Sequence, residues 1–499
     1  MDINRISTLG DLCAANYKSK SIKQELRENL IRSLKERTNP LDGIIGYDET
    51  VIPDLQTAIL SRHNIILLGL RGQAKTKIAR LLINLLDEYI PIVSGSELND
   101  DPLKPISKFA KDLIAANGMD TPISWLHRTE RYSEKLATPD VSVADLIGDT
   151  DPIKAATLKL PYSDERVIHF GLIPRSHRCI FVMNELPDLQ ARIQVALFNI
   201  LQENDIQIRG FKIRLPLDVQ FVFTANPEDY TNRGSIVTPL KDRIESQILT
   251  HYPKLIADSM KITEQEARLT SDQIQKVIVP DLIKELIEQI SFEARGSEYI
   301  DPKSGVSARL TISAFENLVS TVERRVIINN ASQSVARVTD IYGVIPAITG
   351  KVELVYEGEQ EGASKVANIL ISKSIKSVFE NYYPSPEKLK KQTDNNIYQP
   401  IISWFSKGNT IDLLTLHSDE EYRNTLIKIP GLDSVVENII KPKDEKIKLL
   451  MMEFILYGLS EFSQLSKFKL ENGVNFKDML STIFTMNKEE DEFGNEQFG

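Results

Sequence analysis

Residues 64–76 read Asn-Ile-Ile-Leu-Leu-Gly-Leu-Arg-Gly-Gln-Ala-Lys-Thr, and this stretch decides the fold. Asn64 to Leu68 is a short, nearly apolar run, suited to a strand buried on both faces. Gly69 and Gly72 then turn the chain. Ile78, Leu81, Leu82, Leu85 and Leu86 follow on one face of a helix predicted over Lys77 to Tyr89. A glycine-rich turn between strand and helix aims backbone N–H groups at an anion, and the helix N-terminus adds a favourable dipole. The spacing is that of a nucleotide phosphate loop. In such a loop Lys75 reaches the β- and γ-phosphates of ATP, and the Thr76 hydroxyl completes the shell of Mg²⁺. Ala74 stands where glycine is usual; it keeps the backbone donor and adds only a methyl, so the loop can still close.

Working outward, Cys179 to Met183 and Val219 to Thr224 are two more buried-strand candidates, separated by a helical segment, Gln190 to Glu203. Strands alternating with helices predict an α/β core: a parallel sheet with helices on both sides. Residues 1–40 read as a helical segment and 41–253 as the nucleotide-binding core. Prolines and polar residues over 91–145 read as an insertion in that core. The pattern turns chiefly helical from 254 to 372, with helices over Asp281 to Ile290 and Ser313 to Arg325 and a strand-like stretch, Val352 to Tyr356. Residues 373–487 read as a further helical region, and 488–499 as an acidic, solvated tail.

The second apolar strand candidate ends in Asn184-Glu185. A carboxylate there can take a proton from a water or orient it, which makes Glu185 the candidate general base. Asn184 occupies the place where an aspartate usually helps hold Mg²⁺ through water. Its amide can bond a metal-bound water but brings no charge, which predicts weaker Mg²⁺ binding or slower hydrolysis. Thr224-Ala225-Asn226-Pro227 ends the next strand, where the Asn226 amide can polarise a water or touch the γ-phosphate. Arg243, in Pro239-Leu240-Lys241-Asp242-Arg243, and Arg309, in Gly305-Val306-Ser307-Ala308-Arg309, are planar cations suited to developing phosphoryl charge. Asp205 to Pro216 reads as a hairpin turning at Gly210-Phe211, with Arg209, Lys212 and Arg214 available to a substrate or simply solvated.

Phosphate loop, NELPDL, TANPED, LKDRI and GVSARL, in this order, resemble the AAA+ ATPases, specifically the MoxR and magnesium-chelatase I-subunit group. Gly46-Tyr47-Asp48-Glu49 resembles that group's adenine-side entry segment, and the hairpin resembles one that points towards the ring pore. The resemblance covers about residues 40–320. It implies an AAA+ P-loop αβα core, an α-helical lid and a homo-oligomeric ring, hexameric in the group's pattern, binding ATP and Mg²⁺. It also implies the roles: nucleotide contacts from Gly46, Gly69, Arg71, Gly72, Gln73, Ala74, Lys75, Thr76 and Lys77, and metal contacts from Thr76 and, through water, Asn184. Glu185 would activate water, Asn226 would be the first sensor, Arg243 the arginine finger acting on a neighbouring subunit, and Arg309 the second sensor.

The 499 residues suggest roughly three domains. With 41% hydrophobic and 26% charged residues the chain is neither disordered nor a disulfide scaffold. Its longest nearly apolar run, Leu449 to Leu459, carries Glu453 and falls short of the ~20 residues a membrane span needs. No basic stretch leads into an apolar core at the N-terminus, and two cysteines suit a reducing cytoplasm. His169, His177 and Cys179 lie close together, but no fourth ligand stands at zinc spacing. Trp125 and Trp404 sit among aliphatic residues and read as core or interface. A net charge of −10 disfavours indiscriminate nucleic-acid or membrane binding.

The leading expectation is an ATP-hydrolysing ring that remodels a partner protein, in a way that can serve metal or cofactor insertion. The partner, in the group's pattern, is a separate chain with a von Willebrand A-type domain. Three other functions fit parts of the same residues: a magnesium chelatase ATPase subunit proper, a DNA translocase using the hairpin cations, and a nucleotide-gated scaffold with little hydrolysis.

Overall fold

Every residue of Ile65–Leu68, Cys179–Asn184 and Val219–Ala225 is buried, as expected of strands with a helical layer on each face. These are the three central strands of a five-stranded parallel sheet in the computed structural model, which describes residues 3–161, 164–208, 214–227, 235–389 and 396–479. Numbering the sheet strands β1 (Ile65–Leu68), β2 (Tyr132–Leu136), β3 (Cys179–Asn184), β4 (Val219–Ala225) and β5 (Ser246–Leu249), their order is β5-β1-β4-β3-β2.

Side chains alternate between the two faces. Ile65, Leu67, Ile180, Val182, Val222 and Ile248 pack with the helices Ile22–Glu36, Val51–Leu60 and Lys75–Leu81. Ile66, Leu68, Phe181, Met183, Phe221 and Phe223 pack on the opposite face with Leu146, Ile173 and the helical residues Ile193 and Ile200. The result is the αβα sandwich expected from the alternating apolar segments.

Neither edge strand is expected from the sequence. Tyr132–Leu136 has no buried residue and Ser246–Leu249 only one, because an edge strand at a half-covered flank does not need a continuous apolar run. Residues 91–145 are therefore not wholly an insertion, since β2 lies within them and pairs with β3 from Tyr132↔Ile180 to Leu136↔Asn184.

The helix expected to reach Tyr89 stops early. It runs Lys75–Leu81, continues as a 3₁₀ turn over Leu82–Leu85, and gives way to the strand Tyr89–Val93, which pairs antiparallel with Ile123–His127. Pro91 favours extended backbone at the residue before it. The segment Gln190 to Glu203 is two short helices, Ala191–Ala196 and Phe198–Glu203, meeting at Leu197.

The N-terminal helices are tied into the same unit. Arg131 donates to Glu25 through both terminal nitrogens at 2.7 Å, with the two side chains 1% and 5% exposed, and also donates to the Arg178 carbonyl. This buried bidentate pair locks Ile22–Glu36 to the entry of β2.

The chain divides into two compact units, with the division between Tyr252 and Pro253. The second is mostly helical, and one hydrophobic core runs through it from Val277 to Phe476. The expected boundary at 372/373 falls inside a single helix, Ala363–Tyr382, so no domain edge lies there. The strand-like stretch Val352 to Tyr356 supplies only a single bridge, Ile300↔Leu354, before the helix Tyr356–Glu361. The region read as helical beyond 373 also contains a three-stranded antiparallel sheet, in the order Ile411–Leu414, Gly473–Lys477, Ser466–Leu470.

The apolar run Leu449 to Leu459 is the buried centre of the helix Glu445–Glu461. Its Glu453 accepts the backbone N–H of Val338 at 2.8 Å and of Thr339 at 2.9 Å, and the Tyr422 hydroxyl at 2.7 Å. The carboxylate thus satisfies the orphan donors that open the 3₁₀ segment Val338–Val344. Among the described residues no helix is long and apolar enough to cross a membrane. The acidic tail lies outside the described residues.

Candidate functional site

The carboxyl ends of β1, β4 and β3 stand side by side, because Leu68 pairs with Ala225 and Phe223 with Met183. This end of a parallel sheet is where doubly wound folds bind ligands. The phosphate loop leaves β1 there. Its first residue, Gly69, donates its N–H to the Ala225 carbonyl at 3.2 Å. A Cβ on Gly69 would collide with the Thr250 hydroxyl and the Gln73 carboxamide, so only glycine fits. The Thr250 hydroxyl shares its one proton between Gln73 Oε1 at 2.7 Å and Leu68 O at 3.2 Å.

Gly72 has φ 74° and Ala74 has φ 58°, ψ 14°, both left-handed. The second is the position where glycine is usual, and the left-handed turn accounts for that usage: an L-residue there carries a steric cost of about 1–2 kcal/mol. Lys75 opens the helix and is 8% exposed. Its ammonium lies back over the loop, donating to the Gly69 carbonyl and, at 3.0 Å, to the Leu70 carbonyl. Arg71, Thr76 and Lys77 complete the loop and the first helical turn.

The entry segment does more than its motif implies. Gly46 has φ 79°. The Tyr47 hydroxyl shares its one proton between the His251 carbonyl at 2.6 Å and the Gln73 carbonyl at 3.0 Å, tying the loop to the chain leaving β5. Burial pushes the Tyr47 phenol up to about 12, so it stays a donor. Tyr252 reinforces this side with a 2.9 Å bond to the Arg71 carbonyl. Tyr47 belongs to the entry motif, but Thr250 and Tyr252 carry no sequence signal, because their use depends on β5 lying beside β1.

At the end of β3, Asn184 is 8% exposed and hydrogen-bonded through both ends of its carboxamide. Its Oδ1 accepts the Thr224 hydroxyl at 3.0 Å, and its Nδ2 donates to Glu134 Oε1 at 2.6 Å. Glu134 lies on β2, and no motif marks it in the sequence. Its other oxygen accepts Arg80 Nε and Nη2, both at 3.0 Å, and the Tyr132 hydroxyl at 3.0 Å. Glu185 has left-handed backbone, φ 52° and ψ 51°, and donates its N–H to Thr224 Oγ1 at 3.2 Å. A non-glycine residue in this region is a strained choice, of the kind found at functional positions. Asn226, 4% exposed, follows the last residue of β4 beside the loop.

Arg243 is not part of this cluster. It precedes β5, whereas the loop follows β1, the parallel neighbour of β5; Arg243 therefore flanks the opposite end of the strand pair. It is held by Gln202 Oε1 at 2.8 Å, by the Pro239 carbonyl at 2.6 Å and by the Phe198 ring, 5.1 Å from centroid to guanidinium. Arg309 belongs to the second unit, as the exposed first residue of the helix Arg309–Ile328. The hairpin stem is present, Asp205–Gln207 pairing antiparallel with Arg214–Pro216, while Arg209 and Lys212 lie outside the described residues. His177 Nδ1 accepts the Asp218 N–H at 3.0 Å, and the Cys179 thiol donates to the His177 carbonyl.

The donor set suits a nucleotide. A loop that admits no side chain at Gly69, a lysine over its carbonyls and a hydroxyl residue at helix position two are the parts a triphosphate requires. For Mg²⁺ the chain offers oxygen groups, Thr76, Asn184 and the neighbouring Glu134, of the hard type this ion prefers.

No protein-family model and no curated protein matches the chain. Among solved structures, the BchI–BchD complex of magnesium chelatase is similar at 17% identity, covering 64% of this chain and 98% of that one, with a TM-score of 0.33. NtrX of Brucella abortus is similar at 14% identity, covering 72% and 69%, with a TM-score of 0.37. A mutant RuvB of Thermotoga maritima is similar at 13% identity, covering 78% and 98%, with a TM-score of 0.34. The β5-β1-β4-β3-β2 parallel sheet, the phosphate loop that follows β1 and the mostly helical second unit give this chain the fold of the AAA+ ATPases.

Proposed function

We propose that the protein is an ATP-hydrolysing AAA+ ring protein of the MoxR and magnesium-chelatase I-subunit kind, which remodels a separate partner protein in a cytoplasmic setting. The observation that carries the reading is the convergence of phosphate loop, Asn184-Glu185 and Asn226 at the carboxyl ends of three adjacent strands. Lys75 and the loop N–H groups would bind the phosphates, and Thr76 and, through water, Asn184 would hold Mg²⁺. Mg²⁺, when bound, screens the phosphate charge and polarises the terminal phosphoryl group. Glu185 takes a proton from the attacking water or orients it, and Asn226 holds that water against the γ-phosphate.

The placement of Arg243 before β5, against the Phe198–Glu203 helix, supports a finger that serves a neighbouring subunit rather than its own loop. Arg309, on the helical unit, is assigned to sensing the phosphates. The partner would carry a von Willebrand A-type domain, and metal or cofactor insertion would be the outcome of remodelling. Two free cysteines, Cys13 and Cys179, are compatible with a reducing compartment.

The test is Mg²⁺-dependent ATP hydrolysis across a protein concentration series, beside Glu185→Gln and Arg243→Ala. Specific activity that rises with concentration and vanishes in both variants is expected; activity independent of concentration and of Arg243 would overturn the trans-acting assignment. Asn184, an uncharged residue at the metal position, favours a second reading, a nucleotide-gated scaffold with little turnover. Tight ATP binding without hydrolysis in every assembly state would select it, whereas ordinary turnover unchanged in Asn184→Asp would remove it.

A further inference from the structure

Asparagine at 184 leaves the end of β3 without the negative charge a metal-facing residue normally brings, yet the fold places a carboxylate against it. Along parallel β2 and β3, Glu134 pairs with Val182 and Leu136 with Asn184. Glu134, Val182 and Asn184 therefore project from the same face of the sheet. Val182 packs in the core layer beneath the Lys75–Leu81 helix, so this is the face the phosphate-loop helix covers. Arg80, four residues beyond Thr76 and hence on the same side of that helix, reaches Glu134 Oε2 at 3.0 Å. The Glu134 carboxylate thus bridges Arg80, on the helix that presents Thr76, and the side chain of Asn184, which it contacts at 2.6 Å.

The hydrogen bonds also fix which way the amide points. Thr224 donates to Oδ1 and Glu134 accepts from Nδ2, so the nitrogen, a donor unable to face a cation, is turned towards the carboxylate. Arg80 pairs with Oε2 from a side chain that is 63% exposed, which leaves Oε1 to Asn184. Mg²⁺ in nucleotide sites is held by the phosphates and one or two carboxylates, several waters remaining in its shell.

We infer that Glu134, on the neighbouring strand, supplies the metal-directed negative charge that position 184 lacks, acting as a positioning residue through Asn184 and the waters of the Mg²⁺ shell. The inference rests on the ATP-binding reading above. It makes the acid of β2 and the asparagine of β3 a single functional pair, in which the charge has moved one strand over. Uncharged Asn184 is then compatible with ordinary Mg²⁺ affinity.

ATP binding by the full chain, measured calorimetrically in EDTA and across a Mg²⁺ series, tests this in wild type, Glu134→Gln, Asn184→Asp and the double variant. Glutamine keeps an oxygen acceptor for the Asn184 amide and removes the charge. Its NH₂ replaces the oxygen that accepts from Arg80 and Tyr132, so the unfolding midpoint is read beside each titration. Glu134→Gln should leave ATP affinity in EDTA unchanged and raise the half-saturating Mg²⁺ concentration about tenfold, the effect of one nearby charge. Adding Asn184→Asp to it should bring that concentration back to within about threefold of wild type, since the charge returns at the other end of the same hydrogen bond. A purely structural Glu134 would instead lower the unfolding midpoint and ATP affinity in EDTA, and the second substitution would restore neither. Wild-type Mg²⁺ dependence in folded Glu134→Gln, or a deficit that Asn184→Asp leaves in place, overturns the inference. Absence of ATP binding in the wild type would overturn the nucleotide reading itself, and the inference with it.

Discussion

Ala74→Gly isolates the strain in the phosphate loop. Ala74 sits at φ 58°, ψ 14°, immediately before the helix Lys75–Leu81. A Cβ in this region costs about 1–2 kcal/mol relative to glycine. Glycine also gains freedom in the unfolded chain, which offsets about 0.4–1 kcal/mol of that. The net expectation is a gain of about 0.5–1 kcal/mol for the first unit. With an m-value of about 3 kcal/mol per molar urea for a unit of this size, the midpoint should rise by about 0.2–0.3 M.

The two tryptophans make the assay specific. Trp125 lies in the first unit, donating its indole N–H to the Ile6 carbonyl, and Trp404 packs on the core of the second. In a Trp404→Phe background, Trp125 fluorescence follows the first unit alone. Nucleotide must be absent, because binding adds stability by mass action. Gly72→Ala, at φ 74°, is the control of opposite sign and should lower the midpoint. An unchanged or lowered midpoint in Ala74→Gly, with Gly72→Ala behaving as expected, would refute the assignment of strain to position 74.

Three further outcomes follow from the first unit. Glu25→Ala strands Arg131, which is 1% exposed, as an unpaired buried charge; destabilisation of about 3–5 kcal/mol by urea unfolding is expected, and a value below about 1 kcal/mol would contradict the burial of the pair. Tyr47→Phe removes the hydroxyl joining Gln73 O to His251 O and should weaken ATP binding by about 5- to 30-fold in calorimetry, equivalent to about 1–2 kcal/mol. The substitution loosens the loop from behind and leaves its phosphate-facing groups in place, so unaltered affinity would show that the loop holds its shape without Tyr47. Burial, aided by Arg178, lowers His177 to about 4 from 6.5. The native state then holds fewer protons than the unfolded state between these values, so stability is present above about pH 6.5 and falls by up to about 3 kcal/mol as pH drops to about 4. His177→Gln should flatten that slope in unfolding scans, and an unaltered slope would exclude His177 as its source.

The sequence alone determined the middle of the nucleotide unit. Ile65–Leu68, Cys179–Asn184 and Val219–Ala225 are buried on both faces, so each had to be a nearly unbroken apolar run, and each was legible as a strand, the last two with polar ends that mark the site. The phosphate loop was legible for the same reason: its chemistry lies in consecutive residues. Tertiary structure alone decided what depends on distant segments meeting. The edge strands Tyr132–Leu136 and Ser246–Leu249 are covered on one flank only and left no apolar signature. Tyr47, Thr250 and Tyr252 became supports of the loop because β5 lies beside β1, and Glu134 met Asn184, far along the chain, because β2 lies beside β3. In the second unit one continuous core erased a boundary that local composition suggested. Burial on both faces writes itself into neighbouring residues, whereas a hydrogen bond between strands requires only one suitable side chain on each, and that pairing exists only once the sheet order is set.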